Sequence, residues 1–423
     1  MMLLTLCRNT SLLALTITTL PCLSLIAQEN LTPVPPDIAI ATPQVPALES
    51  PQKDDSLTFE KVLEQYNENK VAITRLFSSS PIGFPKRQIE HMAKIDRLKE
   101  KNKQLKRQLD EAALISFGQS ANPSPRVCQA VFNIISKKVD ISRGGYDFDP
   151  EGALEVVKLM LDKMDQVNDL ASTIRDEDIA YQGFLAANAI ENYRDADAML
   201  KRIEDQTTSL QPAIRNEFNE SVTKWEREQE IRNQEQASND LPRVTFETSE
   251  GEIIVELFEN EAPQTVGNFI HLVENKFYDQ MNFFLVIPGR IAQTGCKNNR
   301  GTGDPGYKIP CETMGDEIRH HFSGTLSMAN SGTDTGGSQF FISHQRNSKF
   351  DGKKTVFGRV ISGMEAVRQL NRITRTGSLT MNPSKQGNYS KILTATVTRK
   401  RDHEYFPTKI SEKNPSNGDS ESK

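Results

Sequence analysis

Cysteine is scarce in this 423-residue chain: there are five, and two of them, Cys7 and Cys22, fall within the first 27 residues. So few thiols exclude a disulfide-dense scaffold, and none is flanked by further ligands at zinc-site spacing. Charge of one sign is lacking too. The 51 basic and 56 acidic residues give a net charge of −5, and their interspersion excludes the electrostatic footprint of a general nucleic-acid binder. Beyond the N-terminus no apolar run reaches the length of a membrane span. No G-x-x-x-x-G-K-[ST] phosphate loop occurs, and no repeat of about 34 residues can be laid over the middle of the chain.

What is present begins with a leader. Residues 1–27 carry Arg8, an apolar run over 12–20, and Ala27 at a cleavage position. The run is too short for a bilayer, which points to a secretory signal peptide. A retained N-terminal anchor is the alternative, because Leu25 stands where a small residue is usual. The expectation is an exported chain, periplasmic or in the cell envelope, with no membrane segment after signal removal. Cys128, Cys296 and Cys311 then remain, and in an oxidising compartment the nearby Cys296 and Cys311 are expected to pair. Closing that loop of about 16 residues would contribute roughly 3 kcal/mol. No metal or organic cofactor is expected.

Residues 28–56 include Pro33, Pro35, Pro36, Pro43, Pro46 and Pro51, and such a segment reads as an extended spacer. Residues 57–118 read as helical. Leu98, Leu105, Leu109 and Ala112, with Asn102 in the seam, are spaced by fours and threes. That stripe fits either a short coiled coil or a helix packed within its own domain. Residues 123–239 read as a helical accessory domain, with Asp149-Pro150-Glu151 opening a helix whose stripe is Leu154, Val157, Leu161, Met164 and Val167. A protein partner through this helical region is the expectation it raises.

The texture changes at residue 240. Residues 244–248 and 252–258 alternate apolar and polar about Gly251, the mark of a β-hairpin. Pro263 opens a helix, short strands alternate with Gly-rich loops, a second helix follows Gly363, and 394–399 is a closing strand. A closed antiparallel barrel with two capping helices over 243–400 is predicted, and a polar tail, 401–423, expected to be disordered.

Three blocks within that region carry chemistry: F-F-L-V-I-P-G-R-I-A-Q-T-G from Phe283, L-S-M-A-N-S-G-T-D-T-G-G-S-Q-F-F-I from Leu326, and F-D-G-K-K-T-V-F-G from Phe350. They resemble the cyclophilin family of peptidyl-prolyl isomerases, whose wording is F-H-R-V-I-P-G-F-M-I-Q-G-G, L-S-M-A-N-A-G-x-x-T-x-G-S-Q-F-F-I and L-D-G-K-H-T-V-F-G. The resemblance implies proline-containing polypeptides as partners and catalysis without a cofactor. Rotation of the prolyl bond crosses about 18–20 kcal/mol of amide resonance, so the protein must bind the twisted amide better than either planar form. An apolar pocket for the ring, hydrogen bonds to the flanking backbone and a donor toward the proline nitrogen suffice.

By that resemblance the donor is the Arg of F-H-R-V-I, and here Leu285 stands in its place. Loss of one preorganised donor commonly costs about 100- to 1,000-fold in rate. Reduced isomerase activity is the expectation, with a catalytically silent proline-peptide binding module as the alternative. Arg290 replaces the first aromatic of the proline pocket; it either spoils the rim or serves as a substitute donor beside Gln293. Ile291, Phe341 and Phe350 match the apolar walls. Gln293, Ala329, Asn330 and Gln339 match the peptide-contacting positions, while Lys354 replaces the family's His and Lys349 a position often aromatic. His320 and His321 are read as structural.

Overall fold

The structure, a computed structural model, describes residues 58–79, 85–139, 148–166, 174–206, 212–315, 318–371, 373 and 389–410. The leader, the spacer and 411–423 lie outside the described residues.

The first half is helical: α1 (Phe59–Ser78), α2 (Pro85–Gln119), α3 (Pro125–Val139), α4 (Pro150–Gln166), α5 (Asp176–Ala189), α6 (Tyr193–Gln206) and α7 (Pro212–Ser238). The α2 stripe packs on its own chain. The Asn69 amide of α1 donates to Leu98 O (2.9 Å) and to Asn102 Oδ1 (3.3 Å), so the polar seam residue has its partner within the hairpin. Helix α4 starts as its sequence dictates: Asp149 Oδ1 accepts the Gly152 N–H at 3.0 Å, satisfying a first-turn donor. Leu154, Val157, Leu161 and Met164 are buried with Ala180, Phe184 and Leu200.

The second half contains β1 (Arg243–Thr248), β2 (Gly251–Leu257), α8 (Pro263–Glu274), β3 (Met281–Asn282), β4 (Leu285–Ile287), β5 (Ile291–Thr294), β6 (Thr325–Met328), β7 (Phe340–Ser343), β8 (Val356–Ser362), α9 (Met364–Gln369) and β9 (Lys391–Arg399). They form a nine-stranded sheet in the order β3-β9-β1-β2-β8-β6-β7-β5-β4, and its named pairings are antiparallel. The barrel is present as a curled sheet, a half-barrel rather than a cylinder with an unbroken ladder. The two ends of the strand order, β3 and β4, are consecutive in the chain. At that seam Phe283 N–H donates to Ser390 O (2.9 Å) on one side and Phe284 N–H to Gln293 O (3.1 Å) on the other. Hydrogen bonds that leave one chain segment in opposite directions draw the sheet edges together.

Alternation places Val286, Ala292, Ile342 and Leu326 on the concave face, with Phe246, Phe269, Phe340 and Phe357. Phe269 of α8 meets Phe340 edge-on at 5.2 Å, and helices α8 and α9 cover this core as predicted. Glu312, far along the chain, caps α8 by accepting the Gln264 and Thr265 N–H groups, both at 2.9 Å. Residues 401–410 differ from the expected tail. Tyr405 is buried, its hydroxyl donates to Glu259 (3.0 Å), and Ile410 bridges to Lys308.

Helix α7 packs on the sheet through charge. Arg319, 4% exposed, donates to Glu228 (2.8 and 2.9 Å) and Glu235 (2.5 Å) of α7 and lies over the Phe258 ring at 3.7 Å. Burial works against its charge, but the two carboxylates more than offset this and raise its pKa. Beside it Trp225 of α7 meets Phe322 edge-on at 4.8 Å.

Candidate active site

Directly paired residues across antiparallel strands share a face. Leu285 pairs with Gln293, Gln293 with Phe341, and Phe341 with Ser327. Because neighbouring Val286, Ala292 and Ile342 face the core, this row faces outward, and Ile287 and Ile291 form the next row. The sequence blocks are therefore brought together on the convex face of β4, β5, β7 and β6.

Two adjacent clefts open there. The polar one, about 350 Å³, is lined by Leu285, Gln293, Ala329, Asn330 and Gln339, with Gly303 across from them. Gln293 Nε2 donates to Gln339 Oε1 (3.2 Å), and Gln339 Nε2 to Gly303 O (2.8 Å). The other, about 510 Å³ and called the apolar cleft for its Ile287, Ile291 and Phe350, is otherwise lined mainly by polar and charged residues, with Arg290 and Lys349 at its rim. Ile291 and Gln293, two apart on β5, stand at its junction with the polar cleft. Phe341, buried, backs Phe350 at a ring distance of 5.3 Å.

The aromatic wall is braced from behind by residues that sequence reasoning did not place at the site. His321, fully buried, stacks on Phe341 at 6.0 Å. Its Nδ1 faces Asp351 Oδ1 and its Nε2 faces Ser327 Oγ, both at 2.9 Å. Arg346 donates to Asp351 Oδ2 at 2.5 Å. Burial lowers the His321 pKa despite the adjacent carboxylate. Asp351 is driven the other way: burial would raise it, but His321 and Arg346 together hold it well below the usual carboxylate range. The Asp351-Gly352 pair in the third block was the available signal, and its partners are distant in sequence.

Leu285 and Arg290 face different clefts. Arg290 sits in the tight β4–β5 turn, where its N–H donates to Ile287 O (2.9 Å) and Gly289 takes φ 71°. His344 pins the turn. Its Nδ1 accepts the Gly289 N–H (3.2 Å) and its own N–H donates to Arg290 O (3.0 Å). Burial pushes the His344 pKa down to about 3, so the acceptor is neutral imidazole at neutral pH. Among the described residues the Arg290 guanidinium has no hydrogen-bond or ion-pair partner. Lys354 lines neither cleft. Its ammonium donates to Asn330 O at 2.8 Å and to Asn330 Oδ1, bracing the loop that carries Asn330, and burial lowers its pKa.

The expected bridge between Cys296 and Cys311 is not formed: both thiols are free. Cys296, buried, is the hub of its own loop. Its sulfur accepts the Gly301 and Gly303 N–H groups, each at 3.2 Å, and its thiol lies 2.9 Å from Asn298 Oδ1. Cys311 faces Asn330 and the Asp334 N–H instead. Loop 296–303 is thus steadied beside Gln339 by hydrogen bonds to a thiol. The Gly336–Ser338 loop is fixed by Asn268 Nδ2 donating to Gly337 O (2.8 Å) and the Tyr278 hydroxyl to Ser338 O (3.0 Å). Gly295, at φ 85°, admits no side chain, because a Cβ there would lie 2.1 Å from Ser338 O.

Residues 243–397 match the family model described as cyclophilin type peptidyl-prolyl cis-trans isomerase/CLD. A peptidyl-prolyl cis-trans isomerase of Synechococcus elongatus is 48% identical over 119 residues, 28% of this chain and 80% of that protein. Peptidyl-prolyl cis-trans isomerase B of Bacillus subtilis is 49% identical over 116 residues, 27% of this chain and 80% of that protein. A crystal structure of a Cryptosporidium parvum cyclophilin type isomerase covers 38% of this chain and 99% of its own, with 26% identity and a TM-score of 0.34. The chain belongs to the cyclophilin-type peptidyl-prolyl isomerase family, through its C-terminal half, preceded by a helical region.

Proposed function

We propose that this protein binds proline-containing segments of exported polypeptides and accelerates their cis-trans exchange only weakly. The observation that carries this is the division of the site. Ile291 and Phe350, backed by buried Phe341, line the apolar cleft beside the amides of Gln293 and Gln339, while the position of the family's donor is held by Leu285. A proline ring in the apolar cleft places its preceding carbonyl toward Gln293 and the chain along Ala329 and Asn330. The twisted amide then gains hydrogen bonds at the carbonyl but none at its nitrogen from Leu285.

Arg290, the candidate substitute donor, stands on the apolar cleft's rim, away from Leu285's cleft. Its guanidinium is exposed and held by no partner among the described residues, so it is not a preorganised donor, which supports loss over substitution and favours the second reading, a silent binding module. Residues 1–27 as a signal peptide, 28–56 as a spacer and a periplasmic or envelope location complete the proposal on sequence grounds.

The experiment is a titration of the protein with a capped Ala-Ala-Pro-Ala peptide, followed by exchange spectroscopy of its prolyl bond. Saturable binding with weak acceleration is expected. Absence of binding would sink the proposal, and binding without any acceleration leaves only the silent module. Arg290→Ala should leave residual exchange largely intact; its abolition would establish Arg290 as the donor.

A further inference from the structure

We infer that the prolyl cleft selects peptides with carboxylates next to the proline, through a cationic rim formed by Arg290 and Lys349 and limited by Glu217 of helix α7. This rests on the reading of the cleft as a prolyl-peptide site. The chain as a whole is acidic, at −5, yet the apolar cleft is lined by three cations, Arg290, Arg346 and Lys349, against one carboxylate, Glu217. Their bonding separates them. Arg346 is committed to Asp351, and Glu217 accepts from Ser348 Oγ at 3.2 Å. Arg290 and Lys349 are exposed and have no side-chain hydrogen bond or ion pair among the described residues. Lys224 of α7, nearby, is shared between Glu220 and Asp351.

Two unpaired cations beside an apolar pocket form a site for an anion carried on a prolyl segment. The pocket holds the ring, and the rim reads the charge of its neighbours. Guanidinium recognises a carboxylate in bidentate fashion and ammonium as a point charge. Glu217 sets the opposing charge, so part of the selectivity comes from the helical region.

The test uses the full chain and three capped peptides, Ala-Asp-Pro-Asp-Ala, Ala-Ala-Pro-Ala-Ala and Ala-Lys-Pro-Lys-Ala, with Kd measured at low and high salt. The acidic peptide should bind about 3- to 10-fold more tightly than the neutral one at low salt, as expected for exposed pairs, and the advantage should collapse at high salt. The basic peptide should bind weakest. In the Arg290→Ala, Lys349→Ala double variant the acidic and neutral peptides should converge, and Glu217→Gln should widen the acidic preference. Equal acidic and neutral affinities in the wild type, or a preference that survives the double variant, would overturn the inference while leaving the prolyl-peptide reading in place. Failure of all three peptides to bind would overturn both. An unchanged ratio in Glu217→Gln would remove helix α7 from the recognition.

Discussion

Arg319→Ala should weaken the association of helix α7 with the sheet far more than an ordinary surface substitution. Arg319 is 4% exposed, Glu228 3% and Glu235 8%. Removing the guanidinium leaves these two carboxylates, and the less buried Glu261 that it also meets at 3.1 Å, with much of their charge uncompensated, which typically costs about 3–5 kcal/mol. Arg232 still reaches Glu228 (2.7 Å) and Arg359 still reaches Glu235 (3.2 Å), so the lower end, about 3 kcal/mol, is expected. The assay is urea unfolding followed by Trp225, the chain's single tryptophan, which lies against Phe322 at this junction and so reports separation of α7 from the sheet. Its midpoint should fall, with little relief from added salt because the charges are buried. Arg319→Met combined with Glu228→Gln, Glu235→Gln and Glu261→Gln, the three carboxylates that Arg319 meets, should recover much of the loss, since replacing a buried ionic network as a unit is often neutral. A loss under about 1 kcal/mol in Arg319→Ala, the range of exposed pairs, would refute the reasoning.

Burial pushes the Glu191 carboxyl, which accepts the Ser323 N–H at 2.7 Å, up to about 7. A raised carboxyl contributes stability that is complete below its unfolded pKa and lost as pH rises through the folded value; the protein should therefore lose stability between about pH 5 and pH 8, and Glu191→Gln should flatten that slope in urea titrations. Mass spectrometry of the unreduced protein should find Cys128, Cys296 and Cys311 all free, with half-exposed Cys311 alkylated first in the native state and Cys296 only on unfolding; a linked Cys296–Cys311 peptide would contradict the loop described above. Gly295→Ala should destabilise by several kcal/mol, given the collision with Ser338 O and the strain of a positive φ, and an unchanged thermal midpoint would count against that packing.

Much of the sheet was legible in the sequence because period-2 alternation and turn glycines are local signals. The row Leu285, Gln293, Phe341 follows from register once β4, β5 and β7 are recognised. Helix α4 was legible for the same reason, with its Asp149 cap and a 3.6-residue stripe. Helix α7 was harder. Its buried positions include Phe218, Ser221, Glu228 and Glu235, a helical spacing carried mostly by polar residues, and carboxylates read as solvated until Arg319 is found opposite them. The thiols misled because nearness in sequence does not say which way two side chains face; Cys296 turns into its loop and Cys311 toward Asn330. Likewise Arg290 lies only five positions after Leu285, yet the turn at Gly289 directs it to the neighbouring cleft.

In the proposed function a prolyl segment lies in the apolar cleft while Leu285, at the adjoining polar cleft, offers no donor to its nitrogen. The most direct measurement compares wild type with Leu285→Arg in prolyl exchange of one peptide, with its Kd measured alongside. Restoring a preorganised donor should raise the rate by about 10- to 100-fold, short of the full 100- to 1,000-fold effect of such groups, while Kd changes little. A wild type already as fast as Leu285→Arg would contradict the account.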